Sequence, residues 1–177
     1  MATVILGICG SIAAYKAADV VSALVKHGHE VHCVCTPTAL RFVTPLTLMT
    51  LSRHPVISSF DEETQDWVPA HIALAQRADL LAIVPASANT MACMAHGLAP
   101  NVLTSLYLAN RAPVLIFPAM NTHMWEHPAT QENARLLAER GHTILGPAEE
   151  GTLACGATGK GKLLPVADIV QAILSRL

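Results

Sequence analysis

The sequence has little charge and few aromatic side chains. Charged residues make up 14% of the 177 residues and aromatic residues 4%, whereas apolar residues make up 52%. The net charge is -2 and no basic stripe with interleaved aromatic residues is present, so we expect no nucleic-acid partner. No apolar run reaches the roughly 18 residues that a membrane span requires, so we expect no membrane segment. Typical proteins carry about 25% charged residues, and this shortage predicts a substantial subunit interface.

The sequence also lacks a C-x-x-C pair. Its five cysteines are odd in number, which leaves one over in any disulfide scheme. Cys33 and Cys35 lie on one face of a predicted strand, where buried thiols act as small apolar groups. Cys155 differs, because it lies in a glycine-rich stretch where packing gives no reason for a thiol. The chain enters a strand directly after Met1, without a charged leader or cleavage site, and we expect a cytoplasmic protein.

Short apolar runs alternate with segments of helical spacing. Strands are predicted at residues 3–9, 30–36, 80–84, 113–117 and 142–145, and the strand at 80–84 is expected to stop at Pro85, which lacks an N–H. Helices are predicted at residues 11–26, 37–51 with an interruption near Pro45, 70–78, 91–96, 101–111, 129–140 and 165–177. The alternation predicts an α/β fold in one domain over residues 1–177, a doubly wound parallel sheet of flavodoxin-like or Rossmann-like kind in a three-layer sandwich.

The turn after the first predicted strand is suited to a ligand. Gly10 lets the backbone approach a bound molecule, and Ser11 can cap the helix or donate to an oxyanion. The G-x-G-x-x-G spacing is absent, and the second strand ends in Cys35 and Thr36 instead of an acidic residue. A mononucleotide phosphate therefore fits this turn better than a dinucleotide does.

Further polar groups follow the other strands. Thr36 and Thr38 offer hydroxyl groups at the same edge of the sheet. Ser87 and Asn89 follow the third strand, where they either bind a ligand or only cap the next helix. Both readings stay open.

Histidines are the remaining candidates for chemistry. His71 opens a predicted helix, where the dipole disfavours the imidazolium, so it is either a neutral base or a surface residue. His123 and His127 are four residues apart, but no third ligand has suitable spacing, so no metal site is predicted. The glycine-rich residues 147–164 should form a mobile flap that carries Cys155.

Five short motifs occur in an order and at positions that resemble the homo-oligomeric flavin-containing cysteine decarboxylases. The motifs are GSIAAYK at 10–16, His71 ahead of a helix, PASANT at 85–90, PAMNTHMW at 118–125 and ACGATGKG at 154–161. Lys162 departs from the pattern, because similar sequences have an arginine there. The synthetase domain fused in many bacterial relatives does not follow residue 177, so the ligase step is expected from a partner or from outside this sequence.

The resemblance implies FMN bound between the subunits of a trimer, which can assemble further into a dodecamer. The substrate would be 4'-phosphopantothenoylcysteine, decarboxylated to 4'-phosphopantetheine in coenzyme A biosynthesis. Asn121, with Met124, would bind the substrate, His71 would be the base and Cys155 the acid. The residues implied to line the flavin are Gly10, Ser11, Ile12, Thr36, Thr38, Ser87, Ala88, Asn89, Thr90 and Ala119.

The implied chemistry explains the need for a flavin. Loss of CO2 from an N-acyl cysteine leaves a carbanion with no electron sink. Prior oxidation to a thioaldehyde would supply one, and re-reduction of the ene-thiol would make the reaction redox-neutral. Three alternatives stay open: flavin prenyl transfer, decarboxylation of a peptide's C-terminal cysteine, and a flavin-binding regulatory protein. The retained His71, Asn121 and Cys155 favour decarboxylation of 4'-phosphopantothenoylcysteine over these alternatives.

Overall fold

The computed structural model describes residues 1–61, 68–149, 151, 156 and 159–177, and five parallel strands form its sheet. The strand order is β2-β1-β3-β4-β5. The strands are β1 Thr3–Ile8, β2 Glu30–Cys35, β3 Leu80–Ala86, β4 Val114–Pro118 and β5 Thr143–Ile144. This order is that of flavodoxin-like sheets, so the predicted doubly wound fold is confirmed.

Helices connect these strands and cover both faces of the sheet. They are α1 Ala17–Lys26, α2 Pro45–Ser52, α3 Ala70–Arg77, α4 Ala88–His96, α5 Val102–Ala109, α6 Thr122–Glu126, α7 Pro128–Glu139 and α8 Val166–Leu174. Short 3-10 helices at Ile12–Lys16 and Ala39–Arg41 precede α1 and α2. No helix in these described ranges is long and apolar enough to cross a membrane.

Side chains alternate along the strands between two apolar cores. Leu6 and Ile8 of β1 pack in the core that α1, α2 and α8 cover. Ile5 of β1 and Ile83 of β3 pack in the core beneath α3, α4, α5 and α7. Because both faces are buried, the strands read as continuous apolar runs without polar alternation.

Gly7 brings α5 close to the middle of the sheet. A Cβ atom at this position would lie 2.7 Å from Ile83 Cδ1 and 2.7 Å from Leu103 Cδ1. Both distances are shorter than van der Waals contact, so a larger residue at this position would require the ends of the Ile83 and Leu103 side chains to shift.

The prediction that β3 stops at Pro85 is wrong. The strand continues to Ala86, and its pairing with β4 shifts register between Ile83 and Ala86. Although proline has no N–H, its carbonyl oxygen still accepts a hydrogen bond, here from Cys9 N at 3.2 Å. The irregular register accommodates the missing donor, as is usual for proline within a sheet.

Helix α5 begins with a reciprocal capping pair. Thr104 N donates to Asn101 Oδ1 at 3.1 Å, and Asn101 N donates to Thr104 Oγ1 at 3.4 Å. These bonds satisfy backbone donors at the start of a helix that packs on Gly7.

The substitution Asn101→Ala removes the cap and should lower the free energy of unfolding by about 1 kcal/mol. Asn101→Ser is the matched control, because serine also caps helices and should retain most of the stability. Urea unfolding followed by circular dichroism measures both at one protein concentration. Equal midpoints for the alanine variant and the parent chain would show that the cap contributes nothing.

Candidate functional site

The carboxyl ends of β1, β3 and β4 open on one cavity of about 650 Å³. The chain reverses direction across the sheet between β1 and β3, and such switch points are where open α/β sheets bind ligands. Of the residues predicted for the site, the cavity wall contains Gly10, Ser11, Ile12, Ser87, Ala88, Ala119, Asn121 and Met124.

The first wall follows β1. Gly10 packs directly on Thr38, and a Cβ at Gly10 would collide with that side chain. Ala13 N donates to Ser11 Oγ at 3.3 Å, so Ser11 caps the following 3-10 helix as predicted. Thr38 thus supports this wall from behind and is not among the residues that line the cavity.

Thr36 also lies behind the wall. It is buried, and its Oγ1 accepts a hydrogen bond from Ala39 N at 3.3 Å. The hydroxyl groups of Thr36 and Thr38 reach the predicted edge of the sheet but not the lining, and their contact with a flavin stays a prediction.

The second wall follows β3. Thr90 N donates to Ser87 Oγ at 3.3 Å, so Ser87 caps α4 and lines the cavity at once. The two alternative readings of this serine are therefore compatible. Thr90 is buried, Asn89 is exposed, and neither belongs to the lining.

Cys9 lies beneath this wall and is fully buried. Burial raises the pKa of its thiol to about 11, although contacts with Thr90 and Ser87 oppose the shift. The thiol therefore stays protonated near neutral pH, which suits a packing role better than nucleophilic chemistry.

The third wall follows β4 and contains Ala119, Asn121 and Met124. His123 N donates to Asn121 Oδ1 at 2.9 Å, so Asn121 caps α6 and the orientation of its amide is fixed. Residues 122–126 form this short helix, which is not among the helices predicted from the sequence. An asparagine followed by residues without proline or glycine was the available signal for it.

Residues near the C-terminus complete the rim. Met120 N donates to Gly161 O at 2.9 Å, and Ala148 N donates to Lys162 O at 2.8 Å. Gly161 has a φ of +131°, and a Cβ there would collide with Met120 O. These bonds hold the two ends of the predicted flap against the cavity. Cys155 and residues 150, 152–154, 157 and 158 of that segment lie outside the described residues.

Two lysines of the cavity were assigned no role from the sequence. Lys16 and Lys162 both line the cavity, and neither forms an ion pair within the part of the chain that the structure describes. Lys16 ends the motif GSIAAYK, which was the signal available for it. Two cations beside an otherwise apolar wall favour anionic ligands.

His71 lies apart from the cavity in the single chain. It occupies the first turn of α3, and its ring packs edge-on against Phe60 with 5.6 Å between centroids. The pKa of His71 is lowered, in the predicted direction, by partial burial. The contact of Arg77 with Glu30 places the other end of α3 at the amino edge of the sheet, so His71 lies toward the carboxyl edge.

Two bacterial proteins are similar in sequence to this chain over nearly its whole length. It is 46% identical over 176 residues to the probable phosphopantothenoylcysteine decarboxylase of Streptococcus mutans, covering 98% of each sequence. It is 44% identical to the coenzyme A biosynthesis bifunctional protein CoaBC of Bacillus subtilis, of which it spans 41%. The chain thus spans less than half of that bifunctional relative.

Solved structures agree with this placement. A PPC decarboxylase mutant complexed with pantothenoylaminoethenethiol has a TM-score of 0.86 and 32% identity, covering 98% of this chain and 97% of the other. The FMN-dependent cysteine decarboxylase SpaF has a TM-score of 0.85 and 31% identity, covering 99% and 97%. Residues 1–177 match the Flavoprotein family model. The chain therefore belongs to the Flavoprotein family, and the resemblance read from its five motifs is confirmed.

Proposed function

We propose that this chain is an FMN-dependent decarboxylase that converts 4'-phosphopantothenoylcysteine to 4'-phosphopantetheine in coenzyme A biosynthesis. The observation that carries this proposal is the cavity at the β1–β3 switch point, whose walls come from the GSIAAYK, PASANT and PAMNTHMW motifs. Full-length similarity to the decarboxylase of Streptococcus mutans supports the substrate.

The described residues fit FMN. A cavity of about 650 Å³ lies within the usual range for cofactor sites. Gly10, Ala88 and Ala119 present little side chain, which leaves room for a flat ring. Ser11 and the backbone N–H groups after it suit a phosphate.

The reaction needs a group that amino-acid side chains lack. Loss of CO2 from an N-acyl cysteine leaves an electron pair beside an amide nitrogen, where no neighbouring group accepts it. When bound, FMN supplies reversible two-electron oxidation of the adjacent CH2–SH carbon, which provides a C=S group to accept the pair.

The protein's own residues then bind the substrate and move protons. Asn121 holds the substrate carboxylate without a charge, so it does not favour the ground state, whose charge must leave as the bond breaks. His71, kept neutral by its lowered pKa, accepts the thiol proton. Cys155 returns a proton to the ene-thiolate. Lys16 and Lys162 attract the anionic groups of the ligands.

We also propose that the active form is a homo-oligomer, either a trimer or a dodecamer built from trimers, in which His71 of one protomer reaches the cavity of another. The single chain leaves His71 outside its own cavity wall. It also exposes large apolar side chains to solvent, which a subunit interface would bury. They include Ile12, Tyr15, Phe42, Leu46, Met49, Phe60, Leu98 and Leu108.

Two further proposals concern the source of the substrate and the location of the protein. A phosphopantothenate–cysteine ligase would supply the substrate, because the relative from Bacillus subtilis is a bifunctional protein of coenzyme A biosynthesis. The cytoplasm is the proposed location, and the buried thiols of Cys9, Cys33 and Cys93 are compatible with a reducing compartment.

Purified protein reconstituted with FMN should release CO2 and 4'-phosphopantetheine from 4'-phosphopantothenoylcysteine. The Asn121→Asp variant should retain FMN but bind the substrate at least about tenfold more weakly, because two carboxylates repel each other. Mass spectrometry of the product and flavin absorbance measure the two effects. A peptide ending in cysteine serves as the competing substrate. Turnover of that peptide alone, or unchanged substrate affinity in the variant, would contradict the proposal.

Subunit sharing is tested by mixing two inactive chains. His71→Asn and Asn121→Asp chains carrying different tags are co-expressed, and mixed oligomers are isolated by both tags. In a mixed trimer with shared sites, one cavity combines an intact His71 with an intact Asn121, so about one third of the parent activity should return. Each variant alone is the control. Mixed oligomers as inactive as their parents would place both residues in one chain's site.

A further inference from the structure

The amino edge of the sheet, opposite the cavity, carries two histidines and a carboxylate in contact. His32 Nε2 lies 2.9 Å from Glu30 Oε1, and His54 Nε2 lies 3.8 Å from the same oxygen. One ligand atom from each residue lies within 4.8 Å of the other two. Glu30 and His32 are two residues apart on β2 and so share a face, whereas His54 comes from the segment after α2.

This cluster is held in place before any ligand arrives. The His32 side chain is about nine-tenths buried, at 10% exposure. Thr3 Oγ1 donates to Glu30 Oε2 at 3.2 Å, which fixes the carboxylate from the neighbouring strand. The His32 and His54 rings lie 4.2 Å apart between centroids.

A neighbouring depression of about 470 Å³ gives access to the cluster. His29, Glu30 and His54 all line it. The Nδ1 atom of His29 is buried without a hydrogen-bond partner in the described part of the chain. Buried polar nitrogens are rarely left unsatisfied, so this orphaned atom independently indicates a missing ligand at the same edge.

One cation already competes for the carboxylate. Arg77 Nη2 donates to Glu30 Oε1 at 3.0 Å, but its side chain is 57% exposed. A guanidinium that is mostly in solvent contributes little to such a pair and can turn away. Arg77 therefore weakens cation binding here without blocking it.

We propose that Glu30, His32 and His54 bind a zinc ion, with water in the fourth position. Two imidazoles and one carboxylate favour zinc and similar divalent transition metals over magnesium or calcium, which prefer oxygen ligands. The ion would fasten the segment after α2 to the edge strand β2. Backbone bonds already run along this seam, from Ile57 N to Cys33 O at 3.0 Å and from Cys35 N to Ile57 O at 2.8 Å. The site is independent of the proposed decarboxylation.

Cobalt is a suitable probe, because tetrahedral Co²⁺ absorbs at longer wavelengths than flavin. The chelator-treated holoprotein should bind one Co²⁺ per chain with such a spectrum, and Zn²⁺ should displace it. His54→Ala and His32→Ala should each lower the affinity at least about tenfold. His96→Ala, which changes an exposed histidine on α4, is the matched control and should leave the affinity unchanged.

Two further measurements distinguish metal binding at this site from binding by thiols or by other histidines. Arg77→Met should raise the affinity severalfold, because it removes the competing cation. Affinity should fall as the pH drops through the histidine range, because protons compete for the imidazoles. Circular dichroism checks that each variant folds. A folded His54→Ala chain that binds Co²⁺ as tightly as the parent, or a parent chain without a tetrahedral spectrum, would overturn the proposal.

Discussion

The pairing of β1 with β3 is the constraint on which the cavity depends. The two strands are parallel and in register from Val4 opposite Leu80 to Gly7 opposite Ile83. Because parallel strands end at the same edge, this register brings the turn after β1 beside the turn after β3. Cys9 N reaches Pro85 O just beyond the paired residues and extends the contact to the cavity floor. Any slip of one residue would turn buried side chains to the opposite core, so the apolar pattern of both strands also fixes the geometry of the site.

Strands β1, β3 and β4 were predictable because each is an apolar run buried on both faces, and the alternation of strands with helices gives the fold. The exact sheet order was not, since flavodoxin-like and Rossmann-like sheets share that local pattern. Pro85 was misread because a local rule about missing donors cannot anticipate a register shift with β4. Helix α6 is only five residues long, too short for a periodic signal.

For the site, the sequence predicted which edge of the sheet the residues occupy but not which of them line the cavity. The sequence correctly placed Thr38 and Gly10 at one edge of the sheet. Only the packing shows that Thr38 contacts Gly10 from the side away from the cavity. His71 was predicted as a neutral base, and its pKa is indeed lowered by burial. Its position relative to Asn121 depends on contacts that no sequence spacing encodes. Likewise, Glu30 and His32 form a visible pair on a strand, but His54 joins them only through the chain path after α2.

The two edges of the sheet differ in how their charges are balanced. At the carboxyl edge, Lys16 and Lys162 line a mostly apolar cavity without a carboxylate partner among the described residues, so both are available to an anionic ligand. At the amino edge, Glu30 is surrounded by Arg77 and two histidines, and its pKa is lowered, chiefly by the hydrogen bond from His32. The carboxylate is therefore retained as the pH falls, while the His32 imidazole, with its lowered pKa, resists protonation until lower pH. The stability that Glu30 contributes is present above the pKa of this residue in the unfolded chain and is lost as the pH falls through its pKa in the folded chain. His32 instead favours unfolding as the pH falls, because the unfolded chain binds a proton at this histidine before the folded chain does. The cluster at the amino edge should thus contribute less to stability as the pH falls through the histidine range.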